Sequence, residues 1–207
     1  MSSEGKDLIE TAHHPNWLLF TRIPVDRLDS PRVIAYINIR LFPLHFSLCS
    51  DIINYRDILL ISFLNNHVCY YIMNVYSGSS HIALKYLKDT EVNINNVLVI
   101  TGDFNIRDSL WNITFPHHSI ISDDLMIVTD SFNLVLSSPT NLCPTRYSDM
   151  VGEANSVINL MFLQYGSNGL DQHSIYPYSC LSSDYAPLTI TIPIADKIVS
   201  TSKLSIP

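Results

Sequence analysis

The segment VLVITGDFN, from Val97 to Asn105, is a run of apolar residues that ends in a glycine and two polar residues around a phenylalanine. Such a run is typical of a buried strand that ends at the rim of a sheet. If the chain stays extended, Asp103 and Asn105 point to one side and Phe104 points to the other, into the core. A carboxylate beside a carboxamide can orient an attacking water at a phosphate. The alternative is a turn in which Asp103 and Asn105 only satisfy local backbone groups.

The composition limits the size and class of the protein. The chain has 207 residues, of which 47% are hydrophobic and only 15% are charged, and its mean hydropathy is +0.18. It can bury one sizeable core and need not have more than one domain. The low charged fraction predicts poor solubility, because the protein either depends on a partner or is an incomplete domain with exposed apolar faces.

Charge and cysteine content narrow the function classes. A formal net charge of −7 argues against a broad basic surface for nucleic acid, but not against a metal-dependent phosphoesterase with acidic ligands. No secretory signal is present and no apolar run approaches the ~20 residues of a membrane span, so we expect an intracellular protein that is not secreted and has no membrane partner. Four widely spaced cysteines predict reduced thiols and no zinc site: Cys49, Cys69, Cys143 and Cys180.

Alternation and turn residues predict a chain rich in strands. Residues 1–30 are polar and irregular and resemble a loose leader. Two of the strands that follow form a hairpin across Asn65, Asn66 and His67. The predicted strands are Arg32–Ile39, Asp57–Leu64, Val68–Tyr76, Val97–Thr101, Leu134–Leu136, Ser156–Leu163 and Pro187–Ile194.

Two segments have the apolar spacing of helices. The first is capped by Ser79 or Ser80, and the second opens at Ser122 with acidic residues in its first turn, which suits the helix dipole. The predicted apolar stripes are Ile82, Tyr86 and Leu87 in the first helix and Leu125, Val128 and Phe132 in the second. Many strands and two helices predict an α+β domain with packed sheets and outer helices.

Five segments, in this order, resemble the endonuclease/exonuclease/phosphatase superfamily, and in particular the endonuclease domain of LINE-type (non-LTR) retrotransposons. The family pattern runs Asn-Val-Tyr, then Gly-Asp-Phe-Asn and a tryptophan, Pro-Thr-Arg, Ser-x-Ile-Asp-Leu and Ser-Asp-His-x-Pro-Leu. The matching segments are MNVYS (Met73 to Ser77), GDFNIRDSLWN (Gly102 to Asn112), SSPTNLCPTRYS (Ser137 to Ser148), NSVINLMFL (Asn155 to Leu163) and SSDYAPLTI (Ser182 to Ile190).

This resemblance implies an α+β, DNase-like fold: a two-sheet β-sandwich flanked by helices in four layers, α/β/β/α. The implied organisation is an irregular leader over residues 1–30, the domain over residues 31–195 and a C-terminal tail over residues 196–207. The family's first strands carry an asparagine and a metal-binding glutamate, and no such segment precedes Arg32. We therefore expect a truncated domain that is missing its N-terminal strands.

The resemblance also implies divalent-metal-dependent hydrolysis of a DNA phosphodiester by water, with Mg²⁺ or Mn²⁺ bound weakly because the glutamate is absent. Asp103 would align or deprotonate the water, Asn105 would orient it and Tyr76 would bind the phosphate. Asp184 and Asp103 would hold the metal, and Arg146 and Ser156 would bind substrate. The resemblance further implies an origin in an element that fuses this domain to a reverse transcriptase, and a nuclear location if the protein is functional.

Two replacements affect the implied catalytic dyad. Tyr185 stands where the family has a histidine, and Asn159 stands where it has the aspartate that orients that histidine. A phenol with a pKa of ~10 stays neutral near pH 7, unlike an imidazole, and loss of such a group typically costs ~10²–10⁴ in rate. We therefore expect impaired or no hydrolysis, and the alternative is a catalytically silent relic or binding module that retains the fold and weak nucleic-acid contact.

Several other polar or aromatic residues have simpler interpretations. Trp111 is expected to be a packing residue rather than a base-stacking platform, and Arg107 a solvated loop charge rather than a contact to the phosphate backbone. The histidine pair at residues 117 and 118 is expected to lie on the surface rather than in a metal site. Tyr76 could equally be a rim residue of the core.

Overall fold

A six-stranded mixed sheet is the largest unit of the structure, a computed structural model that describes residues 15–22, 31–112, 115–137, 144–148, 154–164, 174–175, 186 and 188–189. In chain order the elements are β1 (Trp17–Thr21), β2 (Ile34–Asn38), a 3-10 helix (Ile39–Leu44), β3 (Ser47–Leu48), β4 (Ile58–Asn65), β5 (Val68–Tyr76), α1 (Ile82–Asp89), β6 (Val97–Asp103), α2 (Ile120–Ser131), β7 (Leu134–Leu136), β8 (Asn159–Gln164), β9 (Ser174–Ile175) and β10 (Leu188–Thr189). The large sheet has the order β3-β4-β5-β6-β8-β7. Only its β5–β6 pair is parallel.

The two faces of this sheet are covered by different layers. The row Ile61, Ile72, Val99 and Leu163 runs across four strands in register. On this face the β1–β2 hairpin packs over β4, and Leu188 of β10 packs near Val99. Both α-helices pack on the opposite face. The predicted α+β sandwich is confirmed, and the described residues form three of its four layers.

Strand β4 contributes alternate side chains to the two layers that cover the sheet. Leu59 and Ile61 join the cluster beneath β1 and β2, whereas Ile58 and Leu60 join the core beneath the helices. Because successive side chains of a strand point to opposite faces, a strand that is buried on both sides reads as a continuous apolar run. This strand therefore lies at the centre of the sandwich.

The first helix, α1, departs from the predicted phase. Its cap is His81, in a left-handed conformation (φ 52°), and neither Ser79 nor Ser80 fills that role. The helix buries Ala83, Leu84 and Leu87, and it leaves Ile82 53% exposed. The predicted stripe is therefore wrong at Ile82, because the starting residue sets which face of the helix turns inward.

The second helix, α2, begins two residues earlier than predicted. Ser119 is its cap residue, and Leu125 and Val128 are buried as predicted. Phe132 follows the last turn as the C-cap and is also buried. The earlier start follows from a buried carboxylate, Asp108, which accepts hydrogen bonds from this end of the helix and is described below.

Two predicted boundaries need correction. Residues 17–21 form β1, where the sequence predicted an irregular leader, and they pair antiparallel with β2 from Trp17 opposite Asn38 to Thr21 opposite Ile34. The strand predicted from Ser156 begins only at Asn159, and Ser156 instead makes an isolated bridge with Arg146. Backbone pairing with β2 in the first case, and with Arg146 in the second, decided these conformations.

Several other features of the structure agree with the predictions from the sequence. The hairpin across residues 65–67 joins β4 and β5, and β5 has the predicted bounds. Of the predicted strand Pro187–Ile194, Leu188 and Thr189 are described and form β10. Cys49 and Cys69 are free thiols. Within the described ranges, no helix has the length and apolarity needed to cross a bilayer.

Candidate active site

Three predicted site residues stand side by side at one end of the large sheet. Tyr76 is the register partner of Asp103 across the parallel β5–β6 pair, and Asp103 is in turn opposite Asn159 across β6–β8. Paired residues on neighbouring strands are about 5 Å apart and point to the same face. By alternation from Val99, that face is the one covered by the smaller sheets. The sandwich therefore brings Tyr76, Asp103 and Asn159 together at its rim.

The GDFN turn follows directly from β6. Phe104 is fully buried against Phe162, with ring centroids 6.0 Å apart, as the prediction of a core anchor required. The chain does not stay extended, because Asn105 has a left-handed backbone (φ 51°). Its amide N donates to Asp103 Oδ1 at 3.0 Å, and its Nδ2 donates to the carbonyl of Ser77 at 3.0 Å. The turn thus satisfies local backbone groups and also ties Asn105 to the end of β5.

Gly102 allows the two parallel strands to approach at this point. Its φ of 151° lies in a region that side chains disfavour, and a Cβ built there would be 1.8 Å from the carbonyl oxygen of Val75. Only glycine meets both conditions. This residue therefore sets the distance between the strand ends that carry Tyr76 and Asp103.

Thr145 joins three of the segments that resemble the family. The residue is buried, and its Oγ1 accepts hydrogen bonds from the amides of Ile158 (2.9 Å) and Asn159 (3.0 Å). Its carbonyl accepts from the amide of Ala186 at 2.9 Å. The Pro-Thr-Arg segment therefore positions the start of β8 and also contacts the segment that contains Asp184 and Tyr185.

Two polar atoms beside Thr145 have no hydrogen-bond partner among the described residues. One is Oγ of Ser156, a residue that is 2% exposed. The other is the buried Oδ1 of Asn159. Asp184 and Tyr185 lie outside the described residues, so their convergence with Asn159 stays a prediction. The predicted substrate residue Arg146 lies beside this pair through its backbone bridge to Ser156.

A charged cluster that the sequence analysis missed lies on the other side of Tyr76. Arg32 donates to the buried carboxylate of Asp57 through Nε (2.5 Å to Oδ1) and through Nη2. Its Cζ lies 4.6 Å from the centroid of the Tyr76 ring. The two partners of Arg32 are Asp57 and Tyr76, which lie 25 and 44 positions further along the chain. No local sequence pattern therefore indicated the cluster.

Comparison with solved structures identifies the architecture. The endonuclease domain of TRAS1, a telomere-specific non-LTR retrotransposon, superposes with a TM-score of 0.67 at 13% identity, over 88% of this chain and 83% of that one. The chain has a DNase-like fold. This is the fold of the endonuclease/exonuclease/phosphatase superfamily that the resemblance predicted.

More distant structures match as well. A complex of TDP2 from D. rerio with a single-stranded DNA product has a TM-score of 0.47 at 11% identity, over 84% of this chain and 75% of that one. A humanized form of the same protein has a TM-score of 0.44 at 10% identity, over 84% and 74%. No protein-family model and no curated protein matches the sequence.

Within the DNase-like fold, the segment after the GDFN turn is held by Asp108, whose role the sequence did not reveal. Its buried carboxylate accepts from Ser122 Oγ (2.5 Å), Ser119 N (2.7 Å) and Leu110 N (2.8 Å), and His118 Nδ1 lies 2.9 Å away. Burial alone would raise the pKa of Asp108, but these hydrogen bonds outweigh it and lower the pKa. Asp108 therefore stays ionised and anchors α2 to the turn.

His118 bridges two carboxylates in this network. Its Nδ1 faces Asp108, and its Nε2 lies 2.9 Å from Asp123 Oδ1. Hydrogen bonds to Asp108 and then to Asp123 raise its pKa. Both nitrogens can donate only in the imidazolium form. The predicted surface position is consistent with its half-exposed side chain, and Trp111 nearby is a buried packing residue whose Nε1 donates to the carbonyl of Ile106.

A second histidine, His81, lies against the GDFN turn. Its Nδ1 is 3.3 Å from Ser77 Oγ. Burial lowers its pKa, and a hydrogen bond to the Phe104 carbonyl only partly offsets this effect. A neutral imidazole therefore connects the end of β5 to the turn that presents Asp103.

The fit of a divalent metal can be tested on the described donors. Among the described residues, no group of three or more His, Cys, Asp or Glu side chains is placed to hold a metal ion. At the rim the described carboxylate is that of Asp103, since residue 159 is an amide. Mg²⁺ commonly binds through one or two carboxylates together with water and substrate phosphate. The single carboxylate of Asp103 is compatible with a weak site of that kind, and Asp184, the second predicted ligand, lies outside the described residues.

Proposed function

We propose that this chain is an endonuclease-like domain of LINE-type retrotransposon origin that binds DNA and hydrolyses its phosphodiester at a greatly reduced rate. The observation that carries the proposal is the alignment of Tyr76, Asp103 and Asn159 on three neighbouring strand ends of a DNase-like fold. Five sequence segments in the family's order support the retrotransposon origin, and an adjacent reverse transcriptase sequence would support it further.

The surviving residues can position a water and a phosphate. The carboxylate of Asp103 can accept a proton from water. The hydrogen bond from Asn105 Nδ2 to the Ser77 carbonyl fixes the plane of the Asn105 side-chain amide. Tyr76 can donate a hydrogen bond to a phosphoryl oxygen. A bound Mg²⁺ or Mn²⁺, with Asp103 and Asp184 as its protein ligands, would neutralise charge that develops on the phosphate.

The replaced dyad limits the rate. Asn159 carries no negative charge that could stabilise an imidazolium, and Tyr185 supplies no imidazole. The pair can therefore neither transfer a proton near neutral pH nor offer a cation to the phosphate. We expect cleavage to be slower by about 10²–10⁴ than in an intact site.

A plasmid-nicking assay with Mg²⁺ or Mn²⁺ tests the proposal. The variant Asp103→Asn keeps an oxygen that can accept from the Asn105 amide but removes the charge, so the turn should survive while nicking falls at least tenfold. Asp130→Asn, at an exposed position of α2, is the matched control and should nick like the wild type. Equal nicking by wild type and Asp103→Asn would assign the activity to a contaminant and reject hydrolysis at this site.

A second candidate is a DNA-binding module without hydrolytic activity. The two replacements at the implied dyad favour it, because Asn159 supplies no carboxylate and Tyr185 supplies no imidazole. This candidate predicts binding of a labelled DNA duplex in metal-free buffer with no nicking above the Asp103→Asn level. Nicking that depends on both metal and Asp103 would exclude it.

A further inference from the structure

The buried carboxylate of Asp57 organises the rim beside Tyr76. It is 2% exposed and accepts two hydrogen bonds from one side of the Arg32 guanidinium. The carbonyl of the same residue accepts from the amide of Tyr76 at 2.8 Å. One residue therefore fixes both the arginine side chain and the backbone of the tyrosine at the end of β5.

The orientation of Arg32 leaves one edge of its guanidinium, Nη1 and the second N–H of Nη2, outside the pairing with Asp57. The bonds to Asp57 use Nε and Nη2, and the flat face of the group covers the Tyr76 ring. Nη1 points instead toward the loop at Gly78, 3.5 Å from where a Cβ would stand. The side chain is 40% exposed. A guanidinium held on two sides loses little further conformational freedom when its open edge binds an oxyanion.

A second arginine contacts the same carboxylate. Arg56 Nε lies 3.7 Å from Asp57 Oδ1, so Arg32 shares the buried acid with another guanidinium. A phosphate contact made by Arg32 would therefore leave a cation beside Asp57.

We propose that Arg32, held over Tyr76 by Asp57, contacts a phosphate of the bound DNA strand at the rim beside Tyr76. The inference rests on the proposed function, since it deepens how that site binds DNA. It differs from a purely structural role, in which Arg32 would only neutralise Asp57. Bidentate hydrogen bonds from arginine match the oxygens of a phosphate, and such contacts position the strand without reading its sequence.

Fluorescence anisotropy with a labelled DNA duplex in EDTA measures this contact without cleavage. Arg32→Gln should weaken binding about tenfold and reduce the slope of log affinity against log salt by about 1. Arg32→Lys should lose less affinity, because lysine keeps the positive charge but lacks the paired N–H donors of the guanidinium. Arg40→Gln, at an exposed position of the 3-10 helix that follows β2, removes an equal charge and should change affinity less than twofold.

A pair of variants separates phosphate binding from structural pairing. Asp57→Asn removes the need for a counter-ion, and adding Arg32→Gln to it should still weaken binding about tenfold. Equal affinity of Asp57→Asn and the double variant would overturn the proposal, as would a wild type that fails to bind or an Arg40→Gln variant as weak as Arg32→Gln. Thermal unfolding of each variant confirms that the compared proteins are folded. A wild type that binds but does not nick would reject hydrolysis and leave this inference intact.

Discussion

The two sides of the candidate site differ in how their polar groups are paired. On the turn side, Asp108 accepts bonds from Ser119 and Ser122, and Asn105 is bound to both Asp103 and Ser77. On the β8 side, Ser156 Oγ and Asn159 Oδ1 are the buried side-chain atoms without partners among the described residues. Each such atom costs about 1–3 kcal/mol.

On the β8 side, the contacts that position Asn159 are separate from those that would give its side chain a chemical role. The backbone of Asn159 is held by Thr145 Oγ1 and by pairing with Asp103, and neither contact involves the side chain of residue 159. An aspartate could therefore be replaced by asparagine here without moving the strand. On the turn side the carboxylate of Asp108 itself holds the structure, so a similar replacement of Asp108 would be disruptive.

The largest expected effect is that of Asp108→Asn on the turn side. An amide cannot accept all the hydrogen bonds that this buried carboxylate accepts, so the free energy of unfolding should fall by about 3 kcal/mol. Urea denaturation measures the change. Asp130→Asn, an exposed replacement in the same helix, should change it by less than about 0.5 kcal/mol. A loss at Asp108 no larger than at Asp130 would remove the contrast between the two sides.

The next effect concerns the β8 side and is catalytic. Asn159→Asp combined with Tyr185→His restores the family's dyad and should raise the nicking rate by about 10²-fold, which corresponds to about 2.7 kcal/mol. Each single change should do little, because an imidazole without the carboxylate lacks orientation and the carboxylate alone has no partner. The gain in the double variant should exceed the product of the single gains. Additive effects would contradict the assignment of a dyad.

A matched pair of serines sharpens the comparison directly. Ser122 and Ser156 are both buried. Ser122 Oγ donates to the carboxylate of Asp108, whereas Ser156 Oγ has no partner within the part of the chain that the structure describes. Ser122→Ala should destabilise the protein by about 2 kcal/mol, since a hydrogen bond to a charged group is lost. Ser156→Ala should be neutral or stabilising, because it removes an unpartnered polar atom. Denaturant curves that rank the two variants in the opposite order would be incompatible with the described pairing.

The smallest effect is a pH dependence from His118. Its pKa is raised in the folded protein, so its contribution to stability is fully present below the unfolded value of about 6.5 and is lost as pH rises through the folded pKa. Asp108, with its lowered pKa, stays ionised over that range. The difference in melting temperature between wild type and His118→Gln should therefore shrink from acidic to alkaline pH. A constant difference would mean that His118 is not charged in the fold.

Much of the sheet could be predicted because its strands are defined locally. The bounds of β5, the buried position of Phe104 and the packing role of Trp111 all follow from short patterns of apolar residues. The phase of α1 could not be predicted in this way, because Ile82 is as apolar as the buried Leu84 and the left-handed cap decides between them. Strand β1 depended on a partner that lies about 17 positions downstream.

The candidate site likewise contains some residues that local sequence patterns predict and others that they do not. Asp103, Asn105 and Tyr76 were recognisable because a strand end and a short motif place them. The roles of Asp108 and Arg32 were not, because their partners are 14 and 25 positions away. An aspartate or arginine next to a strand or in a loop reads as a solvated charge until the fold brings its partner close.

The close approach of β5 and β6 at Gly102 affects which residues of such a motif persist after activity is lost. The glycine is required because a Cβ would collide with the backbone of Val75, and Phe104 is required to fill the core. Both requirements persist in a copy that no longer cuts DNA, provided it still folds. Asp103 and Asn105 are also tied into the turn by hydrogen bonds. All four residues of Gly-Asp-Phe-Asn can therefore outlast hydrolysis, and the motif by itself records continued folding.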